Sequence, residues 1–547
     1  MARLVVLCLI AGPAAAADYV RDIKPILQER CFACHGALKQ NGKLRLDGGA
    51  NILKGGSSGP AVVAKKAADS ILLQRVSDPD EESRMPPEGQ PLTADQLAKL
   101  KAWIDAGAPV PADDAPEPDP RDHWAFRPPV RPAVPPAGAA NPVDAFLAAR
   151  WQAAGVSPAP PADKRLLLRR VYLDLIGLPP TREEIDAFLA DRSPTAYESV
   201  VDRLLASPQY GERWGRHLMD LWRYSDWWGL GAEVRNSQKH IWHWRDWIVE
   251  SLNADVGYDR MIRLMLAGDE VAPDDPAALR ATGYLARPYF IFNRTTWLDE
   301  TVEHAAKGFL GLTMNCAKCH DHKYDPIAAT DYYRFRAFFE PYQVRTDMVP
   351  GEPDYERDGI PRAFDCNPGA VTYKHERGDD RRPMKGVPIA PGVPAVLGGE
   401  VRIAAVTLPP AAFAPHLRPF VEANYVRAAT ARIAAAKQAL AKARPDPLSA
   451  RLAPNQARAA VEHAEKTLRA AEADLASLQA RFAAERAKHA EPKPANAGDL
   501  AKAAARAEKH AARAAAEAAL AKAELDIFRA VTGERAALEK KRDAART

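Results

Sequence analysis

Two short segments carry the residue types that attach a haem covalently. The first reads CFACH over residues 31–35, and the second reads CAKCH over residues 316–320. In a C-x-x-C-H motif two thiols add across the vinyl groups of one porphyrin, and the histidine becomes the proximal ligand of the iron. A redox C-x-x-C pair would not need a histidine in both copies, and the halves of a zinc ribbon would lie closer in sequence. The two motifs therefore predict two haem c groups, held by Cys31, Cys34, His35, Cys316, Cys319 and His320.

A methionine follows the first motif within a proline-bounded segment, Ser83-Arg84-Met85-Pro86-Pro87. Prolines hold a chain extended and donate no hydrogen bonds. A thioether is a soft ligand that suits haem iron, and methionine opposite histidine raises the reduction potential. Met85 could instead be an ordinary gap-filling hydrophobic residue. We expect it to be the second axial ligand of the first haem.

The bulk composition excludes some classes of protein. The 547 residues include 75 basic and 71 acidic side chains, and the net charge of +4 is not the basic footprint of a nucleic-acid-binding protein. The haem motifs use four of the six cysteines, which leaves Cys8 and Cys366. The chain is therefore not a disulfide scaffold.

Residues 1–17 have the pattern of a secretory signal peptide. Arg3 supplies the positive start, an apolar run from Leu4 to Ile10 follows, and small residues end at Ala17 before Asp18. The apolar run is too short to cross a bilayer. Because haem c is attached beyond the inner membrane, the signal and the haem motifs agree. We expect a mature protein that is periplasmic or otherwise exported and has no membrane span.

The elements that would position the motifs are mainly helical. Residues 18–110 suit a small class I cytochrome c. Tyr19 to Arg30 has helical apolar spacing, Gly36 to Gly59 is predicted to be loop, and a capping box at Thr93 to Gln96 opens a closing helix. Residues 111–140 form a Pro-rich linker.

The rest of the chain divides into three further segments. Residues 141–345 are predicted to be a larger helical domain, with a capping box at Thr181 and helices at 197–205 and 300–312, the last bracing the second haem motif. Residues 346–424 are predicted to be irregular with short β-like pieces, such as Val401 to Leu408. Residues 425–547 are Ala-rich and predict a coiled-coil hairpin of two helices, 454–490 and 499–543.

Eight of the eleven tryptophans lie between Trp214 and Trp297, including Trp227-Trp228. One interpretation is an aromatic core that also packs on haem. The alternative is an exposed platform that stacks on sugar rings, which would make carbohydrate a ligand.

Several long motifs resemble a known pair of domains. Residues 19–110, with CFACHG, SRMPPEG and LKAWIDAGAP, resemble the Planctomycete cytochrome C domain. Residues 141–345 resemble the domain of unknown function that commonly follows it, through RRVYLDLIGLPPTREEIDAFL, SPQYGERWGRHLMDLWRYSD, YDRMIRLMLAGD, FLGLTMNCAKCHDHKYDPI and DYYRFRAFFEPY. The resemblance implies a secreted multi-haem protein that passes electrons during oxidation of sugars or other organic substrates. In that family a further domain usually follows a coiled-coil insertion, and this chain stops within the coil. It is therefore expected to be a short or a truncated form.

The sixth ligand of the second haem is left open by the sequence, because no MPP-like segment follows Cys316. His217 matches the GRH segment of the resembled family and is the first candidate. The other candidates are His304, His322, His240 and His243.

Three functions fit these observations. The first is a dihaem cytochrome that accepts electrons from a redox partner such as a periplasmic dehydrogenase. The second is a haem enzyme of peroxidase or oxidase type with an open second haem, for which His217 with Arg213 or Arg216 would supply distal groups. The third is a polysaccharide-binding protein in which the haems are auxiliary, and the paired motifs favour it least.

Overall fold

The computed structural model describes residues 17–87, 89–136, 141–226, 239–399, 401–444, 454–530 and 534–546. Residues 1–16 of the predicted signal peptide and the pair Trp227-Trp228 lie outside these ranges. The chain forms two compact units. The first unit contains residues 1–159, 312–338 and 371–402, and the second contains residues 160–311, 339–370 and 403–547. Both units draw on the predicted domain 141–345, so the predicted sequence boundaries stay predictions.

The first unit contains the predicted cytochrome c-like fold. Its helices are α1 Lys24–Arg30, α2 Phe32–His35, α3 Gly49–Lys54, α4 Ile71–Val76, α5 Ala94–Asp105 and α6 Pro142–Ala154, joined later in the chain by α16 Ala329–Arg336. Tyr19–Ile23 forms a π-helical turn ahead of α1. The predicted capping box is present, since the Thr93 hydroxyl accepts a hydrogen bond from the Gln96 amide while the Gln96 side chain accepts one from the Thr93 amide.

The core of this domain lies between its first and last helices. Ile23 and Leu27 pack against Leu100, Trp103 and Ile104, all essentially inaccessible to solvent. Burial of five such side chains contributes about 1.5–3 kcal/mol each. The two helices on either side of the first haem motif are therefore held together by apolar contact.

The glycine-rich stretch from Gly36 to Gly59 is not entirely loop, and this part of the prediction was wrong. It contains α3, whose Ile52 is fully buried in the core. A Cβ on Gly49 would lie 2.6 Å from Val110. Glycine therefore allows this short helix to approach the chain after α5 closely.

The second unit is also mainly helical. Its helices before the first strand are α7 Lys164–Leu175, α8 Arg182–Ala190, α9 Ala196–Leu205, α10 Pro208–Leu221, α11 Trp242–Asn253, α12 Tyr258–Val271, α13 Pro276–Leu279, α14 Gly283–Ala286 and α15 Arg294–Ala305. The capping box at Thr181 and Glu184 opens α8 as predicted. Leu168, Tyr172, Phe188, Val200 and Leu204 form the core of α7 to α9.

Two antiparallel ribbons occupy the segment predicted to be irregular. In the second unit β1 Tyr342–Asp347 pairs with β2 Ile360–Asp365, with Tyr342 opposite Asp365. In the first unit β3 Thr372–Glu376 pairs with β4 Asp379–Ile389. The strand predicted at 401–408 is wrong, because these residues pair with no strand in the described part of the chain. An apolar run forms a strand only where a partner accepts its hydrogen bonds.

Long helices dominate the end of the second unit. They are α17 Pro410–Phe413, α18 Pro419–Ala443, α19 Pro454–His489, α20 Ala497–Arg529 and α21 Arg535–Arg546. The helices α18 to α20 pack as successive hairpins, which confirms the predicted helical hairpin. The helix predicted over 499–543 is instead two helices, since α20 ends at Arg529 with Ala530 in an extended conformation. Among the described residues, no helix is both long and apolar enough to cross a bilayer.

Candidate haem sites

The first haem motif lies in one turn of chain at the end of α1. The Cys31 amide donates to the Leu27 carbonyl at 2.8 Å, and the Cys34 and His35 amides both donate to the Cys31 carbonyl, at 3.0 and 2.9 Å. This winding places two thiols and one imidazole on a single short turn. The sequence spacing and the local backbone therefore agree with attachment of one ligand through both sulfurs.

The motif opens into a cavity of about 370 Å³. Cofactor sites commonly measure about 300–1,000 Å³ and are mostly apolar. The cavity is lined by the three motif residues Cys31, Cys34 and His35, by the apolar side chains of Leu44, Leu46, Leu72 and Val76, and by Gly56, Gly59, Met85, Pro86 and Pro87. A flat, largely apolar group fits this lining, and the structure brings Met85 to the same cavity as His35.

The chemistry of the motif side chains suits a covalently held haem. Burial raises the pKa of the Cys31 thiol to about 12, so this side chain is an uncharged thiol before attachment. Burial also lowers the pKa of His35, against an opposing effect of the Leu44 and Asn41 backbone. A neutral imidazole is the form that binds a metal. The Nδ1 atom of His35 is buried and makes no hydrogen bond within the described ranges, so the ring has a polar atom still to satisfy.

Met85 is held at the cavity by its backbone. Its amide donates to the Arg75 carbonyl at 2.8 Å, and its side chain is 37% exposed. It is therefore not a core residue, and the gap-filling alternative loses its main support. Ligation of iron by Met85 stays a prediction.

The second haem motif lies on the surface of the first unit. Cys316, Cys319 and His320 are exposed. Met314, which precedes the motif, and Ala317, which lies within it, are fully buried and anchor the turn. The Tyr333 hydroxyl on α16 donates to the Lys318 carbonyl at 3.0 Å. In this unit the motif is contacted by α16 and by the turn of the β3–β4 ribbon, whereas the helix predicted to brace it is α15, in the second unit.

His320 in the second motif and His322 just after it have opposite hydrogen-bonding roles. His320 Nδ1 donates to the Asp321 carbonyl at 2.7 Å, which leaves Nε2 with a lone pair for iron. His322 Nδ1 instead accepts from the Asp325 amide at 2.8 Å, so its Nε2 carries the proton. His320 is thus arranged as a proximal ligand, and His322 is not arranged as a metal ligand.

A turn of the β3–β4 ribbon lies against the second motif, which sequence reasoning missed. Gly378 has φ +77°, and a Cβ there would lie 2.5 Å from the Cys319 sulfur. Buried His375 on β3 stacks edge-on against Tyr333, with ring centroids 5.2 Å apart. In the sequence, Arg377-Gly378 indicates a tight turn at this point. It does not indicate that the turn contacts Cys319, 59 positions earlier.

An ion pair joins the chain segments that follow the two motifs. Lys39 Nζ lies 3.0 Å from Asp321 Oδ2, four residues after His35 and one after His320 respectively. The backbone hydrogen bond from Ala329 to Asp321, together with Lys39, lowers the pKa of that carboxyl despite partial burial. Both motifs therefore belong to one compact unit and are linked through charged side chains.

The other candidate ligands have separate structural settings in the second unit. His217 is exposed on α10, with its ring 5.4 Å from that of Trp214. His240 Nε2 donates to the Tyr355 carbonyl at 2.8 Å, and His243 Nε2 lies 2.7 Å from an Asp358 oxygen. These bonds account for the latter two as structural residues.

His304 lines a cavity of about 170 Å³ together with Trp222, Arg223 and Tyr284. Burial, helped by the charge of Arg223, lowers its pKa to about 4. The imidazole is therefore neutral at physiological pH. Its Nε2 lies 2.9 Å from Arg223 Nη1, so it accepts a hydrogen bond from the guanidinium.

The described tryptophans of the aromatic-rich region are mostly core residues. Trp222, Trp244, Trp247 and Trp297 are each at most 5% exposed, and Trp214 is the most exposed at 39%. Buried rings cannot stack on a sugar. The arrangement favours the aromatic-core interpretation over a carbohydrate platform.

Two models of known protein families match parts of the chain. Residues 31–89 match the family described as Planctomycete cytochrome C, a span that begins at Cys31 and includes Met85. Residues 142–344 match the family described as protein of unknown function (DUF1549), a span that includes Cys316 to His320. No curated protein and no solved structure matches the chain. The chain therefore carries a Planctomycete cytochrome C domain, which indicates haem-based electron transfer, followed by a DUF1549 domain.

Proposed function

We propose that the protein is an exported dihaem c-type cytochrome that transfers electrons in the oxidation of sugars or other organic substrates. Its electron donor would be a redox protein such as a periplasmic dehydrogenase. The cytochrome family match supports the first haem site. The second site is supported by the repeated C-x-x-C-H pattern and by the orientation of His320.

The observation that carries the proposal is the placement of both motifs in one compact unit. The Lys39–Asp321 ion pair connects the segments next to the two proximal histidines. Electron transfer between two centres requires that the protein hold them at a fixed separation. A shared unit supplies this, whereas two independent modules on a linker would not.

Each proposed ligand has a distinct role. Bound haem would supply reversible one-electron exchange at its iron. Cys31 and Cys34 would hold the first group in the apolar cavity, and His35 and Met85, which line the same cavity, would be its ligands, the thioether raising its reduction potential. Cys316, Cys319 and His320 would hold the second group. His217 is the proposed sixth ligand there.

Haem counting on the mature protein tests the proposal. The pyridine haemochrome assay should give two haems per chain for the wild type. It should give one for Cys316→Ser/Cys319→Ser and one for Cys31→Ser/Cys34→Ser. The exposed lone thiol at Cys366 provides a control, since Cys366→Ser should leave two. A single haem in the wild type, or no loss in the Cys316/Cys319 variant, would refute the dihaem function.

The exposure of Cys316, Cys319 and His320 favours one alternative, a haem enzyme of peroxidase or oxidase type. An exposed centre without a strong sixth ligand is open to a small oxidant. Electron paramagnetic resonance with and without peroxide distinguishes the two functions. A low-spin second haem that ignores peroxide supports electron transfer, and a high-spin signal that peroxide changes supports the enzyme. The His217→Ala variant should become high-spin only if His217 is the sixth ligand.

A further inference from the structure

A cluster of two imidazoles and one carboxylate lies at the C-terminal end of α19. Glu485 and His489 are four residues apart, so their side chains project from the same helix face. His416 comes from the short 3₁₀ turn Pro415–Leu417. The three potential ligand atoms all lie within 4.8 Å of one another.

The two distances from the carboxylate to the imidazoles are close to those in a tetrahedral metal site. The Nε2 atoms of His416 and His489 lie 3.4 and 3.7 Å from Oε2 of Glu485. Ligands that sit 2.0–2.2 Å from a tetrahedral zinc ion lie roughly 3.3–3.6 Å from each other. Little movement would therefore be needed to bind a metal.

One ligand atom has no alternative partner. His416 Nε2 is buried and makes no hydrogen bond in the described part of the chain, although 43% of its side chain is exposed. The ring thus directs one nitrogen inward, toward the cluster, while its other edge faces solvent. Its contact with the Glu485 carboxylate is long, at 3.4 Å, so a metal bond would satisfy this buried nitrogen better.

The surroundings favour positive charge. His489 is the last residue of α19, where the helix dipole and unpaired carbonyl groups attract cations. The Lys488 ammonium already lies 3.3 Å from the same Glu485 oxygen. This contact indicates that the site attracts cations. The ammonium would also compete with a metal ion for the carboxylate.

The end of α19 is held firmly enough to present two ligands. Phe482, one turn before Glu485, packs in a buried cluster with Val421 of α18. Arg486 pairs with Glu422 across the same two helices. The His489 ring also lies 6.0 Å from that of Phe413, next to the turn that carries His416.

We infer that His416, Glu485 and His489 form a binding site for a divalent transition metal such as Zn²⁺, with water completing the coordination. The site is separate from the haem motifs. Its effect is to tie the turn at 415–417 to the end of α19. Two imidazoles and one carboxylate select Zn²⁺, Cu²⁺ or Ni²⁺ over the hard ions Mg²⁺ and Ca²⁺.

Isothermal titration of the full-length, haem-loaded protein with zinc chloride tests the site. The wild type should bind one Zn²⁺. His489→Ala and the isosteric Glu485→Gln should each lower the zinc affinity by about tenfold or more, since even the loss of a residue that only supports a ligand costs that much. His463→Ala, on the same helix but outside the cluster, is the matched control and should bind like the wild type. Titration with magnesium chloride should give no binding.

A second variant gives an effect of the opposite sign. Lys488→Gln removes the competing ammonium and should tighten zinc binding, while leaving the three ligands in place. Zinc should also raise the unfolding temperature of the wild type and of the Lys488→Gln variant, but not that of Glu485→Gln. Equal zinc affinity in the wild type and both ligand variants would overturn the inference, as would the absence of a one-to-one site in the wild type. Far-ultraviolet circular dichroism of each zinc-free variant shows that a loss of binding is not a loss of folding.

Discussion

At the scale of single residues, chemical identity does not determine role. His320 and His322 are two positions apart, yet His320 donates through Nδ1 and His322 accepts through it. The difference arises because the chain turns back after Tyr324, which aims the Asp325 amide at the His322 ring. Sequence spacing predicted His320 as the ligand. Only the fold explains why its neighbour is unsuited to the same task.

The role of Met85 can be tested by substitution. Met85→Ala should abolish the thioether–iron absorption band of the oxidised protein and lower the potential of the first haem. The shift should be on the order of a hundred millivolts, within the about 0.8 V that axial ligands span. Spectroscopy with redox titration measures both. Met384→Ala is the control, because Met384 is exposed on β4 and should change neither. A retained band would remove Met85 as a ligand.

A buried carboxylate in the second unit carries a strong pH dependence. Asp347 accepts from Arg345 at 2.7 Å and from Arg418 at 2.9 Å, and lies 3.1 Å from Arg362. Burial alone would raise the pKa of Asp347, but Arg362, Arg345 and Arg418 outweigh it and lower that pKa. The stabilisation is therefore complete above about pH 4, the unfolded value, and is lost as the pH falls through the lower folded-state pKa.

Asp347→Asn should consequently destabilise the protein at pH 7, because the buried guanidinium groups of Arg362 and Arg418 and the partly buried one of Arg345 lose their counter-charge. The expected loss is about 3–5 kcal/mol of unfolding free energy. Urea unfolding followed by circular dichroism measures it, and the difference from the wild type should shrink in acid. Asp259→Asn, in an exposed helical ion pair, is the control and should have no measurable effect. Equal midpoints for Asp347→Asn and the wild type at pH 7 would show that the cluster adds nothing.

At the scale of elements, short-range signals were reliable and long-range pairing was not. The capping boxes at Thr93 and Thr181 formed as predicted, because both partners lie within one turn of the helix. The strand predicted at 401–408 failed, and the ribbons were missed, because a strand depends on a partner elsewhere in the chain. Elements whose hydrogen bonds join neighbouring residues could be predicted from the sequence. Elements whose hydrogen bonds join distant segments could not.

The β3–β4 turn gives an element-scale prediction. Gly378→Val combines an unfavourable positive φ with a clash at the Cys319 sulfur, so it should reduce haem attachment at the second motif. Haem content per chain should fall from two toward one, with the loss mapped to the Cys316–Cys319 peptide by mass spectrometry. Gly386→Ala on β4, where a Cβ meets nothing within 4 Å, should keep full haem content. Unchanged attachment in Gly378→Val would mean that the turn does not shape the site.

At the scale of the whole molecule, the chain is divided differently in space and in sequence. The predicted domain 141–345 contributes to both compact units, and the second haem motif falls in the unit of the cytochrome c-like fold. Hydrophobic pattern shows where helices begin and end. It does not show which distant segments share a core.

The predicted export of the whole protein can be tested at the cleavage site of the signal peptide. Cleavage after Ala17 would turn the Asp18 amide into an ammonium, and that nitrogen already lies 2.9 Å from an Asp22 oxygen. The new charge would therefore gain a partner at the start of the first helix. N-terminal sequencing of the periplasmic protein should find Asp18 first. A start elsewhere, or retention in the cytoplasm without haem, would contradict the predicted signal peptide.

The sequence by itself determined the two haem motifs, the helical class and the local helix starts, because each depends on residues within a few positions of one another. It also identified Met85 from its proline-bounded segment. Tertiary structure alone decided that Met85 and His35 share a cavity, that Lys39 meets Asp321, and that Gly378 lies against Cys319. It also brought His416 to Glu485 and His489. These contacts join segments far apart in the chain, and their geometry follows from the packing of whole elements, which residue spacing does not encode.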